Sequence, residues 1–534
     1  MLQLLILGSS IIIICILCNK ITSRFGIPML LAFILLGMLF GSEGIFKIEF
    51  DDFIFAENIC TIALICIIFY GGFGTRWNAA RPIAAKALLI SSVGTTVTAL
   101  ITGAFCCIVL KFNLLEGLLV GAVLSSTDAA SVFYVLRSKN LSLNYNTDSL
   151  LEIESGSNDP FAYMLTLILI SALQDGASVT PRSIILTAAA QIFFGVLLGV
   201  LIAMAARWFL EKFTFDIKGF DAAFVFAAAL LAYAIPSAIG GNGYLSTYLV
   251  GIILGNCSIE NKKGLVNFFD GLTSLMQMMI FFMLGLLSYP SKIIAVCLPA
   301  FLITIALTLI SRPLAITLLM TPLKASFRQQ AVVSWAGLRG AASIVFAIMV
   351  SLSKAPLEHD LFHIVFCVVL FSMLVQGTSL PWFARKAGMI NQSGNVLMTF
   401  NDYTEEMDVR YISLPVRAGH PWVAKSVQEL NFPPETLLVL LRRAGKNLVP
   451  RGDTVIQEGD VLVLSASAYT DEDDISLKEI KIDRAHPWCD KLIRQLSLPK
   501  NTLIILIQRG TDTIIPNGQT KIDAGDTIVL NTVR

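Results

Sequence analysis

Charged side chains make up only 14% of these 534 residues, and the whole chain holds four histidines. Soluble domains carry about a quarter of their residues charged. With 55% hydrophobic residues and a mean hydropathy of +0.74, the composition is that of an integral membrane protein. A formal net charge of +1 and the lack of any basic stripe interleaved with aromatics exclude nucleic-acid binding. No HExxH or GxSxG occurs, so metal hydrolysis and serine chemistry lack their parts, and neither an enzymatic activity nor a resident metal or cofactor is expected. A filter-like Thr-Val-Gly-Tyr-Gly segment is also missing, which weighs against a channel. Nine of the ten cysteines lie in or beside apolar runs and behave as small hydrophobes, so no disulfide framework is implied; Cys15 and Cys18 share one apolar segment without a partner pair. No basic region precedes the first apolar run, which is expected to be a retained span.

What is present is a succession of apolar runs. At roughly 20 residues per crossing, thirteen spans are expected, near 2–18, 27–42, 55–73, 84–109, 114–136, 149–174, 183–210, 220–238, 242–256, 265–288, 291–320, 328–352 and 358–383. Basic residues such as Arg76, Arg81, Lys139, Lys262 and Arg328 fall on alternate connections, whereas Glu43, Glu49, Asp51, Asp52 and Glu57 crowd the other side. The positive-inside rule then puts the amino terminus outside and the carboxy-terminal region in the cytoplasm of a plasma membrane. Gly37-Met-Leu-Phe-Gly41 is echoed by Gly251-Ile-Ile-Leu-Gly255, and Asp128-Ala-Ala-Ser131 by Gly340-Ala-Ala-Ser343, each pair seven spans apart. Two inverted six-helix repeats, the architecture of a secondary transporter, are the expectation.

The ionisable groups inside these spans cluster: Asp128 in Ser125-Ser-Thr-Asp128, Glu152, Glu154 and Asp159 before Pro160, and Arg339 in Gly337-Leu-Arg-Gly340. A charge in lipid costs several kcal/mol unless paired or hydrated, so such residues mark ion or proton pathways. Ser155 and Asp159 are four residues apart and share a helix face beside Asn158, with Gly156 leaving room for backbone or cation to approach. Thr127 and Asp128 sit where small residues tolerate an interrupted helix, whose freed carbonyls add hard oxygen ligands suited to Na⁺ or K⁺. Proton and alkali cation would compete for the same carboxylate, which is sufficient for exchange. Glu154 and Arg339 have the opposite charges of a structural ion pair.

Glu154-Ser-Gly-Ser-Asn-Asp-Pro160, preceded by Thr127-Asp128 and followed by Gly337-Leu-Arg-Gly340, resembles the monovalent cation:proton antiporter family, in particular its NhaP-like electroneutral branch, over residues 1–389. The resemblance implies that Asp159 carries cation or proton, that Asn158, Thr127, Asp128 and Ser155 complete the site, and that Glu154 pairs with Arg339. It further implies a homodimer in which a core domain moves against a dimerisation domain. One departure is Tyr70 in Phe69-Tyr-Gly-Gly-Phe73, where relatives commonly place an acidic residue. The preference between K⁺ and Na⁺ stays open at this point.

From residue 390 onward 19 acidic and 16 basic residues mark a soluble region. It contains a repeat of period 66: His420-Pro-Trp422 returns as His486-Pro-Trp488, Arg443 as Arg509, and Gly459-Asp460 as Gly525-Asp526. After a linker at 390–403, two small α+β domains are expected at 404–470 and 471–534, each with a strand, a helix from the His-Pro-Trp corner, a hairpin and a last strand. The pattern resembles the TrkA-C domain of potassium channels and transporters, which favours K⁺ and implies regulation, in some relatives by the anionic nucleotide cyclic di-AMP. His420, His486, Arg443 and Arg509 are the candidate lining of such a pocket. Because channels share this tail, a ligand-gated cation channel is the alternative to an antiporter.

Overall fold

The computed structural model describes residues 9, 12–17, 29–75, 77–139, 141–175, 180–213, 219–257, 259, 261–391, 409–416, 420–430, 432, 436–443, 446–467, 477–484, 486–496, 498, 502–509, 512–514 and 516–532. Most of the expected first span, Cys18, most of the linker at 390–403 and the acidic stretch Asp471–Asp474 lie outside the described residues. The chain divides into two compact units, Met1–Thr404 and Glu405–Arg534.

The first unit is helical: α1 (Met29–Phe40), α2 (Phe53–Gly74), α3 (Trp77–Leu89), α4 (Thr95–Val109), α5 (Leu114–Val123), α6 (Ala129–Ser138), α7 (Thr147–Asp175), α8 (Pro181–Lys212), α9 (Phe220–Ala238), α10 (Gly243–Gly255), α11 (Lys262–Leu287), α12 (Pro290–Ala306), α13 (Arg312–Met320), α14 (Phe327–Trp335), α15 (Ala341–Leu352), α16 (Leu361–Ser372) and α17 (Thr378–Lys386). Single π turns join α3 to α4, α12 to α13 and α16 to α17, so each pair runs as one long rod. Seven helices or rods among the described residues are long and apolar enough to span a bilayer. They coincide with expected spans to within a few residues.

The expected spans at 114–136 and 328–352 are both interrupted. α5 stops at Val123 and α6 starts at Ala129; α14 stops at Trp335 and α15 starts at Ala341. The two glycine echoes mark equivalent close approaches. A Cβ at Gly37 would strike the Phe282 carbonyl of α11, and one at Gly251 or Gly255 the Phe69 or Phe73 carbonyl of α2. With no hydrophobic drive between helices in lipid, such close backbone packing is what holds them together.

The second unit holds two four-stranded antiparallel sheets. β1 (Val409–Pro415), β2 (Leu437–Arg443), β3 (Lys446–Leu448) and β4 (Val461–Ser467) are ordered β1-β4-β2-β3, and β5 (Leu477–Lys481), β6 (Thr502–Arg509), β7 (Asp512–Ile514) and β8 (Thr527–Thr532) repeat this as β5-β8-β6-β7. The 66-residue repeat is therefore one fold used twice. A correction concerns the helix expected after each His-Pro-Trp corner: residues 421–424 and 487–490 form turns, followed only by 3₁₀ turns at Val427–Glu429 and Ile493–Gln495.

Arg443 and Arg509, expected to line a ligand pocket, each make an ion pair within their own sheet domain. Arg443 Nε and Nη2 donate to the two Asp460 carboxylate oxygens at 2.8 and 2.7 Å, and Nη2 donates to the Val455 carbonyl. Arg509 repeats this on Asp526 and the Lys521 carbonyl. The bidentate pair ties the hairpin to the last strand, so its guanidinium is committed to the fold. His420 Nδ1 and His486 Nδ1 accept from the Trp422 and Trp488 backbone N–H groups, pinning the corners. The Arg443 guanidinium hydrogen-bonded to Asp460 holds that carboxyl below its ordinary value, and Arg509 does the same for Asp526. A depressed folded-state pKa stabilises above the unfolded value and is lost as pH falls through the depressed one. The sheets should therefore loosen below about pH 4. Asp460→Ala should cost about 2 kcal/mol, read as faster hydrogen exchange across β1 to β4 of the full-length protein with β5 to β8 unchanged.

Candidate functional site

The two interrupted helices touch at their breaks. The Asp128 backbone N–H donates to the Leu338 carbonyl at 2.8 Å, and Arg339 Nη1 donates to the Ser126 carbonyl at 2.8 Å. A Cβ at Gly340 would collide with the Asp128 carboxylate, so glycine is required where the breaks meet. Unwinding exposes backbone groups that lipid cannot satisfy, and the two breaks satisfy each other.

Charge follows the backbone dipoles. Asp128 caps the start of α6: Oδ1 accepts from Ala130 N and Oδ2 from Ser131 Oγ at 2.6 Å. A carboxylate suits the positive amino end of a helix. Arg339, 2% exposed, sits against the carbonyl beyond the end of α5. Each break thus carries the charge its half-helix ends favour.

α7 supplies the rest. Ser155 Oγ donates to the Thr127 carbonyl at 2.7 Å and accepts from Ala129 N at 2.8 Å, clamping the break of α5 and α6 to α7. Asn158 Nδ2 donates to Thr127 Oγ1 at 2.6 Å. Asp159, 8% exposed, accepts from Ser126 Oγ on the same face. Asp159, Asp128, Thr127 and Ser155 line one cavity of about 600 Å³ together with Tyr70, Glu152, Asp270 and Gln277. Four of the five residues expected at the site share this cavity, and Asn158 backs it through Thr127.

The expected Glu154–Arg339 pair is not what forms. Glu154 Oε1 lies 2.6 Å from Arg312 Nη1, and Arg312 Nη2 donates to Glu154 Oε2 at 2.9 Å. Both side chains are buried, at 2% and 1% exposure. Arg339 is instead used on the Ser126 carbonyl, while its backbone N–H donates to Ser372 Oγ. Arg312 went unnoticed because it lies in the most apolar rod, Pro290–Met320; a lone cation in such a run was itself the signal. Ser126 and Asp270 were also missed. Asp270 Oδ1 accepts from the Tyr70 hydroxyl at 3.3 Å, so a carboxylate on α11 stands beside the Tyr70 phenol.

The hard oxygen set suits an alkali cation as passing cargo and offers no soft ligand for a transition metal. The description "sodium/hydrogen exchanger, transmembrane" matches residues 9–386, and that of the TrkA-C domain matches 411–468 and 477–531. The chain is 34% identical over 471 residues to the K(+)/H(+) antiporter NhaP2 of Shewanella sp. (strain ANA-3), covering 86% of this chain and 80% of the relative. It is equally similar, 34% over 479 residues, to the K(+)/H(+) antiporter NhaP of Alkalimonas amylolytica, covering 89% and 83%. The solved sodium proton antiporter MjNhaP1 from Methanocaldococcus jannaschii superposes with a TM-score of 0.63 at 22% identity, over 72% of this chain and 99% of that one.

The buried pair generates a test. Arg312→Ala strands the Glu154 charge and should cost roughly 3 to 5 kcal/mol, seen as a lower melting temperature in detergent. Replacing both partners by Met and Leu should recover most of that loss. Equal melting of Arg312→Ala and the unaltered protein would contradict the pairing.

Proposed function

Because the chain belongs to the transmembrane sodium/hydrogen exchanger family, we propose that it exchanges a monovalent cation, K⁺ in preference to Na⁺, for protons across a bacterial-type plasma membrane. The observation that carries this is a buried carboxylate, Asp159, at the wall of a polar cavity whose other oxygens come from Asp128, Thr127 and Ser155. Left charged and empty in lipid, Asp159 is costly. It is neutralised either by a proton or by a dehydrated cation, never by both, and each occupant must leave before the other binds. One positive charge in either state makes the cycle electroneutral. Glu154 with Arg312, and Arg339 on the half-helix carbonyl, keep the breaks in place while occupants change. The names of the K(+)/H(+) antiporters at 34% identity and the paired TrkA-C domains support K⁺ over Na⁺.

The working form is a homodimer, and the alternation of basic loops supports an amino terminus outside and a tail in the cytoplasm. The tail regulates by binding one conformation better than another. An anionic ligand such as cyclic di-AMP would have to compete with Asp460 and Asp526 for the two guanidinium groups, or bind elsewhere on the sheets.

Asp159→Asn keeps size and hydrogen bonding but removes the exchangeable charge. Cation-driven proton flux in proteoliposomes should fall to background while the protein still melts cooperatively; retained flux would refute the assignment. Truncation should be made after Asn391, because Ile390 bridges Leu143 and Asn391 N donates to the Ser142 carbonyl. The truncated protein should still exchange, with an altered pH response, and unaltered transport would show that the tail does not regulate.

A further inference from the structure

The Asp159 cavity is lined by the second half of α2, from Leu64 to Gly71, and by α11 from Val266 to Phe281. The other ends of these helices share the opposite face, because Glu43, in the loop before α2, accepts from Ser291 N and Oγ just after α11. Between Asp159 and that opposite face lies a cluster of tyrosines from three helices: Tyr163, one turn beyond Asp159 on α7, Tyr233 on α9 and Tyr244 on α10. Ring centroids of Tyr163 and Tyr244 are 4.8 Å apart at 90°, and those of Tyr233 and Tyr244 are 4.8 Å apart. Phe346, on α15, closes the group at 5.8 Å from Tyr163 and 6.2 Å from Tyr244. The hydroxyls of Tyr163 and Tyr244 both approach that of Tyr233, Tyr244 also reaches Thr61, and the Glu57 carboxylate acts electrostatically on Tyr163 and Tyr233.

A plug that only filled space would be built of phenylalanine, because buried hydroxyls in a bilayer cost free energy unless they bond. Facing each other when closed, the same hydroxyls can turn to water or a cation when the rings part. Glu57 lies one turn from Thr61 on α2, half-buried at the mouth of this route and nearest the acidic loop Asp51-Asp52.

Building on the exchange proposed above, we propose that Tyr163, Tyr233 and Tyr244 form the gate, closed in this structure, between Asp159 and the face where α2 begins, and that Glu57 gathers cations at its mouth. The contributing helices meet at the gate, so a small displacement of α7 and α15 against α9 and α10 separates the rings without unfolding any helix.

The test uses the full-length protein in right-side-out and inverted vesicles, with K⁺ presented on one face at a time. Glu57→Gln should raise the apparent KM for K⁺ on the face where α2 begins by about fivefold, leaving the other face's KM and both maximal rates unchanged. Tyr244→Ala should leak K⁺ without counter-moving protons, whereas Tyr244→Phe, which keeps the ring, should stay coupled. Where Tyr244→Ala fails to melt cooperatively, Tyr163→Leu replaces it with the same expectation. An unchanged or evenly raised KM for Glu57→Gln overturns the role of Glu57. Full coupling in the ring-deleted variants overturns the gate. A wild-type protein without cation-dependent proton flux would refute the exchange reading instead.

Discussion

Two broken helices that meet at their breaks are the constraint on which this molecule turns. Each break frees N–H and C=O groups that lipid cannot satisfy, at several kcal/mol apiece when left unpaired. The solution here is reciprocal: Asp128 N–H on the Leu338 carbonyl, Arg339 on the Ser126 carbonyl, and Ser155 gripping Thr127 and Ala129 where the first break enters α6. The polar atoms needed to repair the backbone also build the site. Ser126, whose carbonyl takes Arg339, turns its hydroxyl to Asp159.

That economy explains why the buried charges are separated. Asp128 and Arg339 answer the dipoles of half-helix ends, whereas Glu154 and Arg312 neutralise one another. Asp159 has a hydroxyl partner but no bonded cation among the described residues, and its buried carboxylate lines an open cavity. An occupant can therefore be exchanged at Asp159 without dismantling the breaks.

Much of this was legible in sequence. Hydropathy located the spans because a bilayer imposes both length and composition, and the Asp128-Ala-Ala-Ser131 and Gly340-Ala-Ala-Ser343 echoes fell at the starts of α6 and α15. Site residues stood out as charges where charges are expensive. Partner choice was less legible: Arg339 and Arg312 are equally cationic, and only the three-dimensional placement of Arg312, in the π-turned rod Pro290–Met320, decides which reaches Glu154. In the tail, the period of 66 revealed the duplication, but not that Arg443 and Arg509 pair with Asp460 and Asp526, 17 positions away along the chain. The His-Pro-Trp corner suggested a helix that its turn geometry does not continue.

Competition between proton and cation at one carboxylate is the central claim, and the pH dependence of cation affinity tests it most directly. In vesicles held at a series of pH values, the apparent KM for K⁺ should rise as pH falls, approaching about tenfold per unit once the proton form dominates, while the rate at saturating K⁺ stays level. A KM independent of pH, with only the maximal rate changing, would mean that proton and cation occupy separate sites and would contradict the account.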